Sequence, residues 1–250
     1  GSVLGPLLFL LYINDLPEAT RMFTNLFADD TSLQLSSNSM QELENEANKE
    51  LEKVLRWFTM NKLSIHPQKT RYMLIGPRKK EDLNIYIGDT KVQRVGESEQ
   101  EKSYKFLGVQ IDEKLTWKHH ITYIIMKVRR TINSLQLYRI ELSQKLKVLV
   151  YKSLVKPHLD YCVQVWGGAN VSELLRVQKR AIRLTLNKNM CVHSSPLFLQ
   201  VRDLKINDIY ILRNILTGIK VKREIGPQLL QNIFTWNETN SRRGHLMKHP

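Results

Sequence analysis

The chain has 250 residues, 42% of them hydrophobic, enough for a real core in one large domain or two smaller ones and too many for a disordered chain. Its one long apolar run, Val3 to Ile13, is broken by Gly5 and Pro6, is too short to span a bilayer and lacks the basic start of a signal peptide, so we expect an intracellular protein, nuclear or cytoplasmic and not secreted. The net charge of +14 is uneven: residues 1–104 carry 13 Lys and Arg against 15 Asp and Glu, and residues 105–250 carry 25 against 9, a field that favours a polyanion.

In chain order, residues 1–14 read as a loop entering a helix, with Pro6 tolerated in the first turn and the continuous LLFLLYI implying burial on all sides. The opening on Gly, with no leading segment, looks like a piece of something longer. TNLFADDTSLQL, residues 24–35, reads as strand, tight turn, strand, with Asp29 and Asp30 side by side at the turn. Two explanations fit the pair. Asp suits turn geometry, and adjacent carboxylates also suit a divalent cation that offsets their repulsion and serves phosphoryl or nucleotidyl transfer.

From Ser39 the spacing predicts a long helix. Ser39 and Glu42 stand at capping-box spacing, Leu43, Ala47, Leu51, Leu55 and Phe58 recur every four residues, and Glu44, Asn48 and Glu52 form a solvated face. Strands or hairpins follow at 69–76, 83–95 and 104–112. After Trp117 helical periods take over at 119–139, 143–155 and 173–186, so the fold class is α+β with a helical second part. In the last of these, Arg176, Lys179, Arg180 and Arg183 share one face, opposite Leu174, Val177, Ala181 and Ile182. The basic face is either an ordinary charged surface or a set of phosphate contacts. Cys162 and Cys191 are too few for a disulfide framework. The pairs His119 with His120, His158 with Cys162, and Cys191 with His193 lack zinc-module spacing and read as helix-surface or core packing groups, whereas Trp117 and Trp166 read as core aromatics.

Five stretches in this order, GSVLGPLLFLLYINDLP, FADDTSL, NKLSIHPQKTRYMLIG, YKFLGVQIDEKLTWKHHI, and VYKSLVKPHLDYCVQVWG with LLRVQKRAIRL, resemble the reverse transcriptases of non-LTR retrotransposons, above all the jockey and CR1 type. The resemblance implies a partial polymerase palm at 1–116, a helical thumb at 117–190 and an incomplete helical extension at 191–250. The implied reaction is RNA-templated addition of deoxynucleoside triphosphates to a DNA primer by two magnesium (or manganese) ions roughly 3.5–4 Å apart. Catalytic residues implied are Asp29, which would ligate the metal, and Asp30, which would support it, with Ala28 keeping the turn slim. Gly1, Ser2, Gly5 and Pro6 match a loop-to-helix motif lining the nucleotide and template side, and Lys69, in the motif that begins at Asn61, would approach the triphosphate. Phe106, Leu107 and Gly108 match the primer grip.

The sequence departs from this pattern in two places. His66 stands where the motif usually has Asn, and the family's other essential Asp lies on a strand upstream of the Gly-Ser motif. Asp15 could cap a turn but not replace it. We therefore expect the chain alone to be inactive. Two other functional classes are carried: a basic nucleic-acid-binding remnant with a dead site, and a basic helical protein on anionic membranes.

Overall fold

A computed structural model describes residues 4–76, 82–96, 102–138 and 140–233. The chain forms a mixture of helices and small two-stranded sheets, compatible with the α+β expectation. It divides into two compact units, residues 1–104 with 112–115, and residues 105–111 with 116–250. The 105–111 segment thus groups with the helices that follow it. No helix among the described residues is long and apolar enough to cross a membrane.

In the first unit, α1 (Leu4–Ile13) leads through a 3₁₀ turn (Leu16–Ala19) to the hairpin β1 (Phe23–Phe27) and β2 (Asp30–Gln34). Helix α2 (Met40–Met60) starts where its cap predicts: Ser39 Oγ accepts from the Glu42 N–H at 3.5 Å. The box is not reciprocal, because the Glu42 carboxylate accepts from Ser37 Oγ at 3.1 Å instead. Four two-residue strands follow. β3 (Arg71–Tyr72) pairs in parallel with β6 (Gln93–Arg94), and β4 (Tyr86–Ile87) pairs antiparallel with β5 (Thr90–Lys91). Leu83, Ile85 and Ile87 alternate inward, as period-2 patterning demands, and meet the Leu43, Ala47, Leu51 and Leu55 stripe of α2. Arg94 then ties β6 to Glu113 through two parallel bonds of 2.8 and 2.9 Å, with Asp82 at 2.7 Å.

Two expectations fail here. The polar face of α2 is not merely solvated: Glu44 accepts from the Asn84 N–H at 2.7 Å, and Asn48 both donates to the Asn84 carbonyl at 2.8 Å and accepts from the Tyr86 N–H at 2.9 Å. These side chains satisfy backbone groups of Asn84, just before β4, and of Tyr86 in it. Nor is α1 buried all round. Ile13 is buried and Phe9 half-buried against a core, whereas Leu4, Leu7, Leu8, Leu10, Leu11 and Tyr12 are exposed, because a single helix face reaches that core.

In the second unit, β7 (Tyr104–Phe106) and β8 (Val109–Ile111) form a hairpin, and α3 (Lys118–Leu137) follows. Helix α4 (Gln144–Val150), capped by Ser143, runs into a π-helical turn (Tyr151–Val155) and then α5 (Lys156–Asp160), α6 (Val163–Trp166), α7 (Ser172–Thr185), α8 (Ser195–Val201), α9 (Ile206–Lys222) and α10 (Gln228–Ile233). One core, centred on Val128, Ile132, Val155, Leu159, Trp166, Leu174 and Ile182, joins α3 through α9. Inside it lies a polar network. Buried Asp203 accepts from Tyr151 Oη and Lys156 Nζ, both at 2.6 Å, and Gln178 donates to the Leu204 carbonyl at 2.8 Å while accepting from the Ile206 N–H at 3.0 Å. Burial, helped by Asp203, pushes the Tyr151 phenol above its ordinary range, so it remains a donor.

Candidate active site

The Phe27–Leu33 motif is a hairpin in which Phe27 faces Asp30 and the turn consists of Ala28 and Asp29. Of the two turn residues only Ala28 has a positive φ, +52°, at the position where Gly is usual, a local cost of about 1–2 kcal/mol. Strain of this kind persists only where the surroundings enforce it. The hairpin's inner face carries Leu26 and Leu33, which join a small core with Ile13, Leu16, Val54, Trp57, Phe58 and Ile65. Asp29, at the tip, and Asp30, on the opposite face with Phe27, are exposed, and neither carboxylate has a hydrogen bond or ion pair among the described residues.

That small core packs three stretches distant in sequence against Val54, Trp57 and Phe58 of α2. Ile13 and Leu16 come from α1 and its following turn, Leu26 and Leu33 from the hairpin, and Ile65 from the segment before His66. Tyr12 Oη also donates to the Asn61 carbonyl, which ends α2. Gly5 and Pro6 lie in the first turn of α1, both exposed; Gly5 has ordinary helical backbone and needs no glycine for its conformation. Gly1 and Ser2 fall outside the described residues. Lys69 is exposed in the turn in which the His66 carbonyl accepts from the Lys69 and Thr70 N–H groups at 3.0 and 3.2 Å. That turn forms with His at position 66. Asp15 precedes the 3₁₀ turn without a side-chain cap, contrary to the capping expectation.

Beside the hairpin stands a group the motifs did not flag. Glu50 on α2 is buried and accepts from Thr20 Oγ1 at 2.9 Å, the Arg21 N–H at 2.7 Å and Lys53 Nζ at 2.5 Å. The Lys53 bond and then the Arg21 N–H hold its carboxyl down to about 2. It fixes the entry to β1. A Glu among twelve polar helix positions gives no signal that it will be the buried one.

In the second unit, Leu107 and Gly108 form the β7–β8 turn, with φ +44° and +85°, the double positive φ of a tight hairpin. The Phe106, Leu107 and Gly108 triplet is half-buried. On α7 the predicted inner face is confirmed: Leu174, Val177, Ala181 and Ile182 are buried. The four cations of its outer face differ among themselves. Arg183 Nε donates to the Val192 carbonyl at 2.9 Å, and Arg180 donates to Gln136 at 3.3 Å. Arg176 and Arg180 line a groove of about 230 Å³ with Arg129 of α3, whose guanidinium meets Glu173 at 2.9 Å. Helices α3 and α7 together carry eight Lys and Arg against that one carboxylate.

Residues 1–111 match the family described as reverse transcriptase (RNA-dependent DNA polymerase). The resemblance seen in the motifs is borne out. Over most of its length the chain is similar to transposon-encoded polymerases of Drosophila melanogaster. It is 27% identical to the probable RNA-directed DNA polymerase from transposon X-element (84% of this chain, 23% of that protein) and 26% identical to the RNA-directed DNA polymerase from mobile element jockey (82% and 22%). To the probable RNA-directed DNA polymerase from transposon BS it is 29% identical (84% and 24%). The chain therefore spans less than a quarter of each of these relatives. No solved structure matches significantly.

Reverse transcriptases use divalent metal ions. The donor chemistry at the hairpin tip fits a hard cation, since two carboxylates stand exposed and uncommitted. No cluster of three His, Cys, Asp or Glu exists among the described residues, so a complete ligand set for two ions is not assembled there.

Proposed function

We propose that this chain is the palm (1–116), thumb (117–190) and partial C-terminal extension (191–250) of a non-LTR retrotransposon reverse transcriptase. The observation that carries the reading is the small core that brings α1, the Asp29–Asp30 hairpin and the segment leading to Lys69 together. These are three motifs that the implied reaction needs at one place. Asp29 ligates Mg²⁺, or Mn²⁺, with Asp30 in support, and the second carboxylate comes from a strand upstream of Gly1 in the longer protein. Gly1, Ser2, Gly5 and Pro6 line the nucleotide and template side. Lys69 meets the triphosphate, Phe106–Gly108 holds the primer, and Arg176, Lys179, Arg180 and Arg183 contact phosphates of the RNA template and DNA primer.

The isolated chain is expected to add no nucleotides to a primer on an RNA template. Joined to the part of the jockey polymerase that precedes the matched region, it is expected to extend the primer, and Asp29→Ala abolishes that extension. A joined protein that binds primer–template and never extends it sinks the catalytic reading. The second reading, a nucleic-acid-binding remnant without activity, is favoured by the eight cations on α3 and α7 and would then stand.

A further inference from the structure

Strands of three residues joined by a tight turn hold their shape poorly without support. The β7–β8 hairpin gets its support from the helical segments, through two side chains, one holding the turn at Leu107 and the other holding β8 at Gln110. Tyr161 Oη donates to the Leu107 carbonyl at 2.6 Å, and His120 Nδ1 accepts from the Gln110 N–H at 3.2 Å. Both grips trace to fully buried Trp166. Its indole N–H donates to the Tyr161 carbonyl at 2.9 Å, and its ring meets His120 edge-on with centroids 5.3 Å apart. The Tyr161 ring also closes over Gly108, where a Cβ would stand 3.3 Å from Cε1.

We infer that Tyr161 and His120 are positioning residues for the Phe106–Gly108 turn: braced by Trp166, they fix the turn's backbone and thereby the place where it meets a primer strand. The inference rests on the primer-grip reading above. Neither residue needs to touch nucleic acid, since Tyr161 acts through Leu107 and His120 through Gln110. The chemistry of each is specific. Phenylalanine would keep the Tyr161 ring but remove the donor, and an imidazole accepting through Nδ1 must carry its proton on Nε2. Asparagine at position 120 would retain an acceptor near Nδ1, whereas alanine would not.

The test uses the 250-residue chain with a photo-crosslinking phenylalanine analogue in place of Phe106, an RNA–DNA primer–template, and amide hydrogen exchange. In the otherwise unchanged protein, crosslinks are expected to concentrate at the primer 3′ end. Tyr161→Phe and His120→Ala are expected to speed exchange of the 108–110 amides by about tenfold, the scale of one lost hydrogen bond. They are also expected to scatter the crosslinks along the primer, with overall affinity held within about twofold because phosphate contacts dominate it. His120→Asn is expected to restore both patterns. Crosslinks and exchange unchanged in Tyr161→Phe overturn the inference. Faster exchange in the variants, with no primer crosslink in any of the proteins, overturns the primer-grip reading itself and leaves the clasp as scaffold only.

Discussion

At the scale of single residues, two buried titratable groups set how the chain responds to acid. Glu50 is held down to about 2 by Lys53 and the Arg21 N–H, against 4.5 for a free carboxyl; its contribution is complete above about 4.5 and is lost as pH falls toward 2. His120 is held down to about 4 by burial, against 6.5; folding keeps it neutral, so stability is intact above about 6.5 and drains as pH falls toward 4. Urea unfolding followed from pH 7.5 to 4.5 should show a loss of up to about 3 kcal/mol from this group. His120→Asn should flatten that slope, and an unchanged slope would assign it to other residues. Glu50→Ala strips the acceptor from Thr20 and Arg21, and we expect a cost of about 2–4 kcal/mol at pH 7, read as a lower urea midpoint at unchanged slope.

At the scale of elements, polar side chains decide how strands meet helices. Asn48 serves the Tyr86 N–H of β4 and the Asn84 carbonyl just before it, so Asn48→Ala should cost about 1–2 kcal/mol and raise exchange at the Tyr86 amide first. Equal exchange in variant and parent would show that water replaces it without loss. At the end of α6, a Cβ on Gly167 would stand 2.6 Å from the Val163 carbonyl and 2.7 Å from the Tyr210 ring. Gly167→Ala is therefore expected to destabilise the helical unit by about 1–3 kcal/mol, the scale of overpacking. A variant as stable as the parent in thermal unfolding would mean that α6 and α9 separate freely.

At the scale of the whole molecule, charge is the dominant feature. With 25 cations against 9 acids in residues 105–250, and eight against one on α3 and α7, nucleic-acid binding should weaken steeply with salt. Arg176 lines the groove with Arg129 and has no partner of its own among the described residues, unlike Arg183, which holds the Val192 carbonyl. Arg176→Gln should reduce the slope of log K against log salt by about 1, the effect of one lost phosphate contact. Arg183→Gln is expected to lower that slope as well and, because the Val192 carbonyl loses its donor, also to lower stability. Equal slopes for Arg176→Gln and the parent would remove this groove from the binding surface.

What the sequence determined by itself were the features that local chemistry dictates. Ser39 starts α2 because its hydroxyl caps the Glu42 N–H, the 24–35 stretch makes a hairpin because the short Ala28–Asp29 turn divides two β-prone runs, and the α7 stripe buries its apolar side because the 3.6 period allows nothing else. The ordered motifs also carried the resemblance to reverse transcriptases, since it depends on residue identity and order alone. Tertiary structure decided the rest, because partners distant in sequence leave no local mark. Nothing near Glu50 announces Thr20 and Arg21, nothing near Asn48 announces the edge of β4, and the apolar run of α1 does not say that one face alone finds a core. Tyr161 lies 54 residues from Leu107, and only the fold brings its hydroxyl to that carbonyl.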